Sequence, residues 1–214
     1  MTEAIDAYEP YGDPGRNKLY GLLFADDLEA FRPSGILSGP WATLFAARPD
    51  RDDLAALATD NGTESRIRIL AWRRLASLGA ANPTAPPLLG VVVEVGMDAG
   101  LDALAAYDDG RVRYLNHAAA PAIFEGDPSL AGSVRDLLAA AEPVAAAIGP
   151  WEETRRPPPE PGTLRLTFLV GGELRFGEGP IDVLARDPMG GPVFAAAGRL
   201  LEAIVERVTP LKPG

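Results

Sequence analysis

The stretch LLGVVVEVGMDAGLDALAAYDDGRVRYLNH, residues 88–117, decides the fold. Its first eight residues are nearly all apolar and rich in valine, the composition of a strand buried on both faces. The segment that follows is organised around Asp109-Gly110, a dipeptide suited to a type I′ hairpin turn, whose two central residues need positive φ. With those two residues as the turn, Tyr107 faces Val112, Ala105 faces Tyr114, Leu104 faces Leu115 and Asp102 faces His117. Leu101, Ala103, Ala105, Tyr107, Val112 and Tyr114 then share a core face, and the other face carries Asp102, Asp108, Arg111, Arg113 and His117.

Working outward toward the C-terminus, PAIFEG (121–126) adds a meander strand, and TLRLTFLVGGELRFGEGP (163–180) makes a second hairpin. A two-residue Gly171-Gly172 turn would place Leu164, Leu166, Phe168 and Val170 on the same face as Glu173 and Arg175. A three-residue loop over 170–172 instead pairs Phe168 with Leu174 and Leu166 with Phe176, and this register is expected because pairing follows the buried face. It carries Glu178, flanked by Gly177 and Gly179, to the end of the core face. A helix follows each hairpin. The first is opened by Asp127-Pro128 and should kink or restart at Pro143. The second, over 192–208, turns Val193, Ala197, Leu200, Leu201, Ile204 and Val208 inward, with Gly198 allowing close approach to the sheet. WEETRRPPPEPG (151–162) reads as a polyproline-like connector between the two units.

Toward the N-terminus the apolar period changes from 2 to 3.6. Residues 1–16 read as an extended arm, 17–31 as a helix stopped by Arg32-Pro33, and 50–60 as a helix capped by Asp50. The helix over 64–78 sets Ile67, Leu70, Ala71 and Leu75 on one face and most of Arg66, Arg68, Arg73 and Arg74 on the other. Gly79 ends it and ANPTAPP follows as a linker. The division expected is a helical N-terminal segment, 1–79, and an α+β domain, 84–214. The fold class is α+β: an antiparallel sheet of five or six strands covered by two helices and preceded by the N-terminal helical segment.

Composition narrows the function. The chain has 214 residues, 30 acidic against 20 basic, for a net charge of −10, and no cysteine. So acidic a chain repels phosphate backbones, and the arginines of 64–78 are better spent on acidic neighbours, so no nucleic-acid partner is expected. The absence of cysteine removes disulfides, thiolate nucleophiles and cysteine-based metal sites. Acids stand near the N-terminus where a signal peptide has basic residues, and no apolar run reaches membrane-spanning length; a cytoplasmic protein without a membrane partner is expected.

Phosphate-binding loops, zinc-protease and nucleophile-elbow motifs and the dinucleotide fingerprint are all missing. The sharpest chemical idea is the pair Asp102 and His117, since a carboxylate across from an imidazole fixes its tautomer and raises its basicity. Arg113, Arg175 and Glu178 are the ligand-binding candidates, Glu178 because its flanking glycines leave backbone accessible. Glu94, Asp98, Asp102 and Asp108 offer oxygen ligands without an ordered spacing, and neither a metal nor a cofactor is expected. Trp41 and Trp151, each after a Gly-Pro pair, are expected to pin connectors. No characterised family is resembled by these residues. The expected function is that of a non-catalytic binding or regulatory protein with a protein partner or self-association. The alternative is a small-molecule hydrolytic enzyme using Asp102/His117 or Glu178.

Overall fold

The computed structural model describes residues 9–80 and 85–208. The first eight residues of the expected arm and residues 81–84 of the linker lie outside the described residues. Six strands form one antiparallel sheet: β1 (Leu88–Met97), β2 (Gly100–Tyr107), β3 (Arg111–Leu115), β4 (Ala122–Glu125), β5 (Thr163–Val170) and β6 (Glu173–Pro180). Their order is β4-β3-β2-β1-β5-β6. The valine-rich β1 is central, paired with β2 on one side and β5 on the other. Val92 packs into one core and Val91 and Val93 into the other, so no side of this strand meets water and its sequence needs no polar alternation.

The first face lies under α1 (Pro14–Gly21), α2 (Pro40–Leu44), α3 (Arg51–Thr59) and α4 (Ser65–Ser77). Tyr20, Phe24, Leu54 and Leu70 from this segment meet Val92, Ala103, Ala105, Tyr107 and Leu169 of the sheet. The opposite face is covered by α5 (Ala131–Ala147) and α7 (Gly190–Val208), with the short α6 (Ile181–Leu184) between β6 and α7. Here Leu137, Ala141, Val193, Leu200 and Ile204 pack on Val91, Val93, Leu104, Leu166 and Phe168.

Several element boundaries differ from the sequence reading. The expected helix over 17–31 starts earlier and is broken: Asp13 accepts from Arg16 N at 2.7 Å and Pro14 occupies the first turn. It stops at Gly21, Ala25 takes φ +47, and only a 3₁₀ turn forms over Glu29–Phe31. Asp50 caps α3 as expected, accepting from Asp52 N and Asp53 N. Helix α5 starts at Ala131, after a turn in which Asp127 accepts from Ser129 N and Oγ. It continues through Pro143, whose neighbours Ala141, Val144 and Ala145 are all buried, so packing holds the helix across the missing N–H.

Both hairpin registers also move by one residue. In β2–β3 the partners are Ala103 with Leu115, Leu104 with Tyr114 and Ala105 with Arg113, which corrects the two-residue turn to a three-residue loop, 108–110. Gly110, at φ +81, donates its N–H to Tyr107 O at 2.9 Å. The loop is fixed from outside: Asp109 Oδ2 accepts from Ser65 N at 2.7 Å and Ser65 Oγ accepts from Asp109 N at 3.1 Å, so the turn caps the start of α4. In β5–β6 the partners are Leu169 with Leu174, Thr167 with Phe176 and Arg165 with Glu178, which corrects the three-residue loop to the two-residue Gly171-Gly172 turn. Gly171 takes φ +56, and a Cβ on Gly172 would come within 2.5 Å of Arg73 N in α4. This turn wastes no apolar face, because both sheet faces are covered. Leu164, Leu166, Phe168 and Val170 go to the α5/α7 side, and Leu169 and Leu174 to the other.

Candidate functional site

Between α7 and strands β1–β3 lies a cleft of about 230 Å³, lined by Val93, Val95, Asp102, Leu104, Tyr114, Phe194, Ala197, Gly198 and Leu201. The corrected register brings Asp102 and Leu104 of β2 onto one face with Tyr114 of β3. On α7, residues 194, 197, 198 and 201 fall at three- and four-residue spacing and so form one stripe. The cleft exists because that stripe is small in its middle. Gly198 does not bring the helix closer to the sheet, as the sequence suggested; a Cβ there would meet nothing within 4 Å.

The polar end of the cleft is specific. Tyr114 Oη donates to Asp102 Oδ2 at 2.9 Å, while Asp102 Oδ1 is buried without a hydrogen-bond partner. Burial, with Asp102 beside it, pushes the Tyr114 phenol up to about 12, so it stays a donor across the neutral range. His117 Nδ1 lies 3.7 Å from Asp102 Oδ1, beyond hydrogen-bond distance. A Cβ on Gly100 would sit 2.8 Å from His117 Cβ, so the imidazole stem rests on the β1–β2 turn. The structure therefore brings Asp102 and His117 near one another in a looser arrangement than direct cross-strand opposition, and only Asp102 lines the cleft.

The other candidates are engaged elsewhere. Arg113 Nη1 donates to Phe124 O at 2.8 Å and Nη2 to Glu125 at 2.5 Å, and burial pulls its guanidinium below the ordinary value. Arg175 Nη1 donates to Ala145 O and Ile148 O at the end of α5, where the last carbonyls lack helical partners, and Nη2 to Glu173. Glu178 accepts from Arg165 Nε at 2.5 Å, and Arg156 Nη1 stands 3.6 Å away. Arg165 also donates to Pro157 O at 2.7 Å, tying the 151–162 connector to the sheet. None of the three lines the cleft.

Sequence reasoning gave Glu94 too small a part. It is fully buried, accepts from Tyr20 Oη at 2.5 Å, and has Arg165 Nη1 at 3.7 Å from Oε2, which has no hydrogen-bond partner. Burial pushes its carboxyl above the usual range, against the opposing pull of Arg165 and the Tyr20 hydrogen bond. The signal was visible: one glutamate inside an otherwise apolar central strand must be paired or neutralised. The four acids considered as oxygen ligands do not converge. Glu94 faces α1, Asp102 faces α7, and Asp108 pairs with Arg68 at 3.2 Å. Among the described residues no group of three metal-ligating side chains occurs.

The arginines of α4 are engaged locally: Arg66 with Glu64, Arg68 with Asp108, Arg73 with Gly172 O and Arg74 with Ala46 O. Trp151 packs its ring on Phe176 at 5.0 Å and donates its backbone N–H to Leu174 O, holding the connector against β6. Among the described residues no helix is long and apolar enough to cross a membrane. No protein-family model and no curated protein matches this chain.

Proposed function

We propose that the chain is a non-catalytic binding or regulatory protein whose ligand enters the cleft beside α7. The observation that carries this reading is the lining: an apolar wall with one carboxylate at its end, which is the makeup of a recognition pocket. Arg113 and Arg175 donate to internal carbonyls and Glu178 accepts from Arg165, so these three act as ties within the fold. The proposal rests on this cleft rather than on a protein–protein surface. A cytoplasmic setting belongs to the same proposal.

The reading is tested by titrating labelled protein with benzene and following backbone NMR shifts. Saturable shifts confined to the cleft, lost when Gly198→Leu closes its mouth, support it. The hydrolytic alternative draws on the nearness of His117 to Asp102. Turnover of a p-nitrophenyl ester above the buffer rate, abolished by both Asp102→Asn and His117→Ala, would replace binding with hydrolysis.

A further inference from the structure

We propose that the cleft takes a small amine: a cationic nitrogen paired with the Asp102 carboxylate, carried on an apolar body near the size of a benzene ring. This rests on the binding reading above and names the ligand class. Three observations converge on it. Asp102 is the one carboxylate in the cleft lining; Tyr114 Oη donates to its Oδ2, and Oδ1 has no hydrogen-bond partner, with His117 Nδ1 3.7 Å away. A carboxylate oxygen accepts more than one donor, and a charged nitrogen donor satisfies a carboxylate best. The remaining wall, with Val93, Leu104 and Leu201, offers apolar contact and no second acceptor of comparable strength.

The size is set by the volume. A cavity of roughly 150 Å³ admits benzene, so the observed 230 Å³ leaves room for a short arm and its nitrogen. Gly198 supplies the third observation. Glycine is unfavourable within a helix, and here the side chain it lacks leaves open space at the cleft wall. The net charge of −10 draws cations toward the surface and works against an anionic ligand.

Three probes separate the parts of this inference: 2-phenylethylamine, its neutral analogue 2-phenylethanol, and 3-phenylpropionate. Each is titrated into the full chain and followed by NMR. The amine is expected to give saturable shifts at Asp102, Tyr114 and Phe194 with a Kd on the order of 10⁻⁴ M. The alcohol should bind about tenfold more weakly, and the carboxylate should give no saturable shift. Asp102→Asn should weaken the amine by about ten- to a hundredfold while leaving the alcohol unchanged. Gly198→Leu should remove both. Intermolecular NOEs from the probe ring to Val95 and Leu201 locate the amine independently of any variant, and NOEs only to other parts of the chain would overturn the site. Equal binding of amine and alcohol, insensitive to Asp102→Asn, would overturn the amine but leave an apolar binding cleft. No saturable shift with any of the three would overturn both the amine and the binding reading.

Discussion

The sheet face under α1–α4 buries Glu94, Arg113, Arg165 and Thr167, whereas the core under α5 and α7 is built from apolar side chains. Both faces are well covered, but they are held by different forces. Helices α5 and α7 each follow a hairpin closely in sequence and dock by an apolar stripe, which is strong and non-directional. The N-terminal helices come from a separate stretch of chain, and they are registered on the sheet by directional bonds: Tyr20 to Glu94, Tyr107 Oη to Leu23 O, and Ser65 with Asp109. The contrast suggests a division of labour. Apolar area supplies the bulk of the docking energy on each side, and the buried polar bonds define where the N-terminal segment sits.

The largest test of that contrast is to remove the segment. Residues 84–214 expressed alone should keep the α5/α7 core and a strand-and-helix circular dichroism spectrum. They should melt at a lower temperature and bind an apolar dye through the uncovered Val92, Ala105, Tyr107 and Leu169. A fragment with no cooperative transition would show that the two faces form one inseparable core, and the division between 79 and 84 would fail.

Next in size is Arg165→Met in the full chain. Arg165 is almost fully buried and stands between Glu94 and Glu178, so its loss strands carboxylates in a low-dielectric site. Breaking such a pair costs about 3–5 kcal/mol. Urea unfolding should show this loss, and adding Glu94→Gln should recover part of it. A loss under about 1 kcal/mol would mean that water reaches the cluster and that the face is less ion-dependent than its geometry indicates.

Glu94→Gln alone gives a smaller effect with a definite sign. The folded-state pKa of Glu94 is raised, so between its unfolded value and its folded value the native state holds the extra proton. In that window stability falls as pH rises, and above it the penalty is constant. Glutamine keeps an oxygen acceptor for Tyr20 and carries no charge. The variant should therefore match the wild type in acid and become more stable than it once the pH passes the folded pKa. Thermal melts from pH 4 to 8 check this. A variant that is less stable at pH 8 than at pH 4, relative to wild type, would reverse the assignment.

The same contrast explains what was legible in the sequence. The valine run of β1, an antiparallel sheet of five or six strands, the Asp50 cap and the two covering helices follow from local periodicity and turn chemistry, and the structure contains them, with six strands. The hairpin registers did not follow, because each turn abuts α4: Asp109 caps it at Ser65, and Gly172 lies against Arg73. Local turn rules carry no information about a helix arriving from more than forty residues away. The register slip then hid the cleft, since it put Tyr114 on the wrong side of the sheet and left Asp102 facing His117 instead of sharing a hydrogen bond with Tyr114. Glu94 was legible as a residue needing a partner, but Tyr20 and Arg165 could be named only from the fold.

The finest prediction concerns the α5/α7 face and the residue that opens it. Gly198 lies inside α7, is exposed, and has open space where a Cβ would stand. Glycine costs a helix about 1 kcal/mol relative to alanine, mostly through the backbone freedom it loses on folding. Gly198→Ala should therefore stabilise the protein by about that amount, raising the melting temperature by a few degrees without disturbing either core. A methyl group adds little bulk, so the cleft should survive this change, whereas Gly198→Leu should close its mouth. If alanine proves neutral or destabilising, the glycine is tolerated for a conformational reason in the helix, and the space beside it is incidental. If alanine stabilises while ligand binding declines step by step from glycine to alanine to leucine, the open wall of the cleft carries a stability cost that function explains.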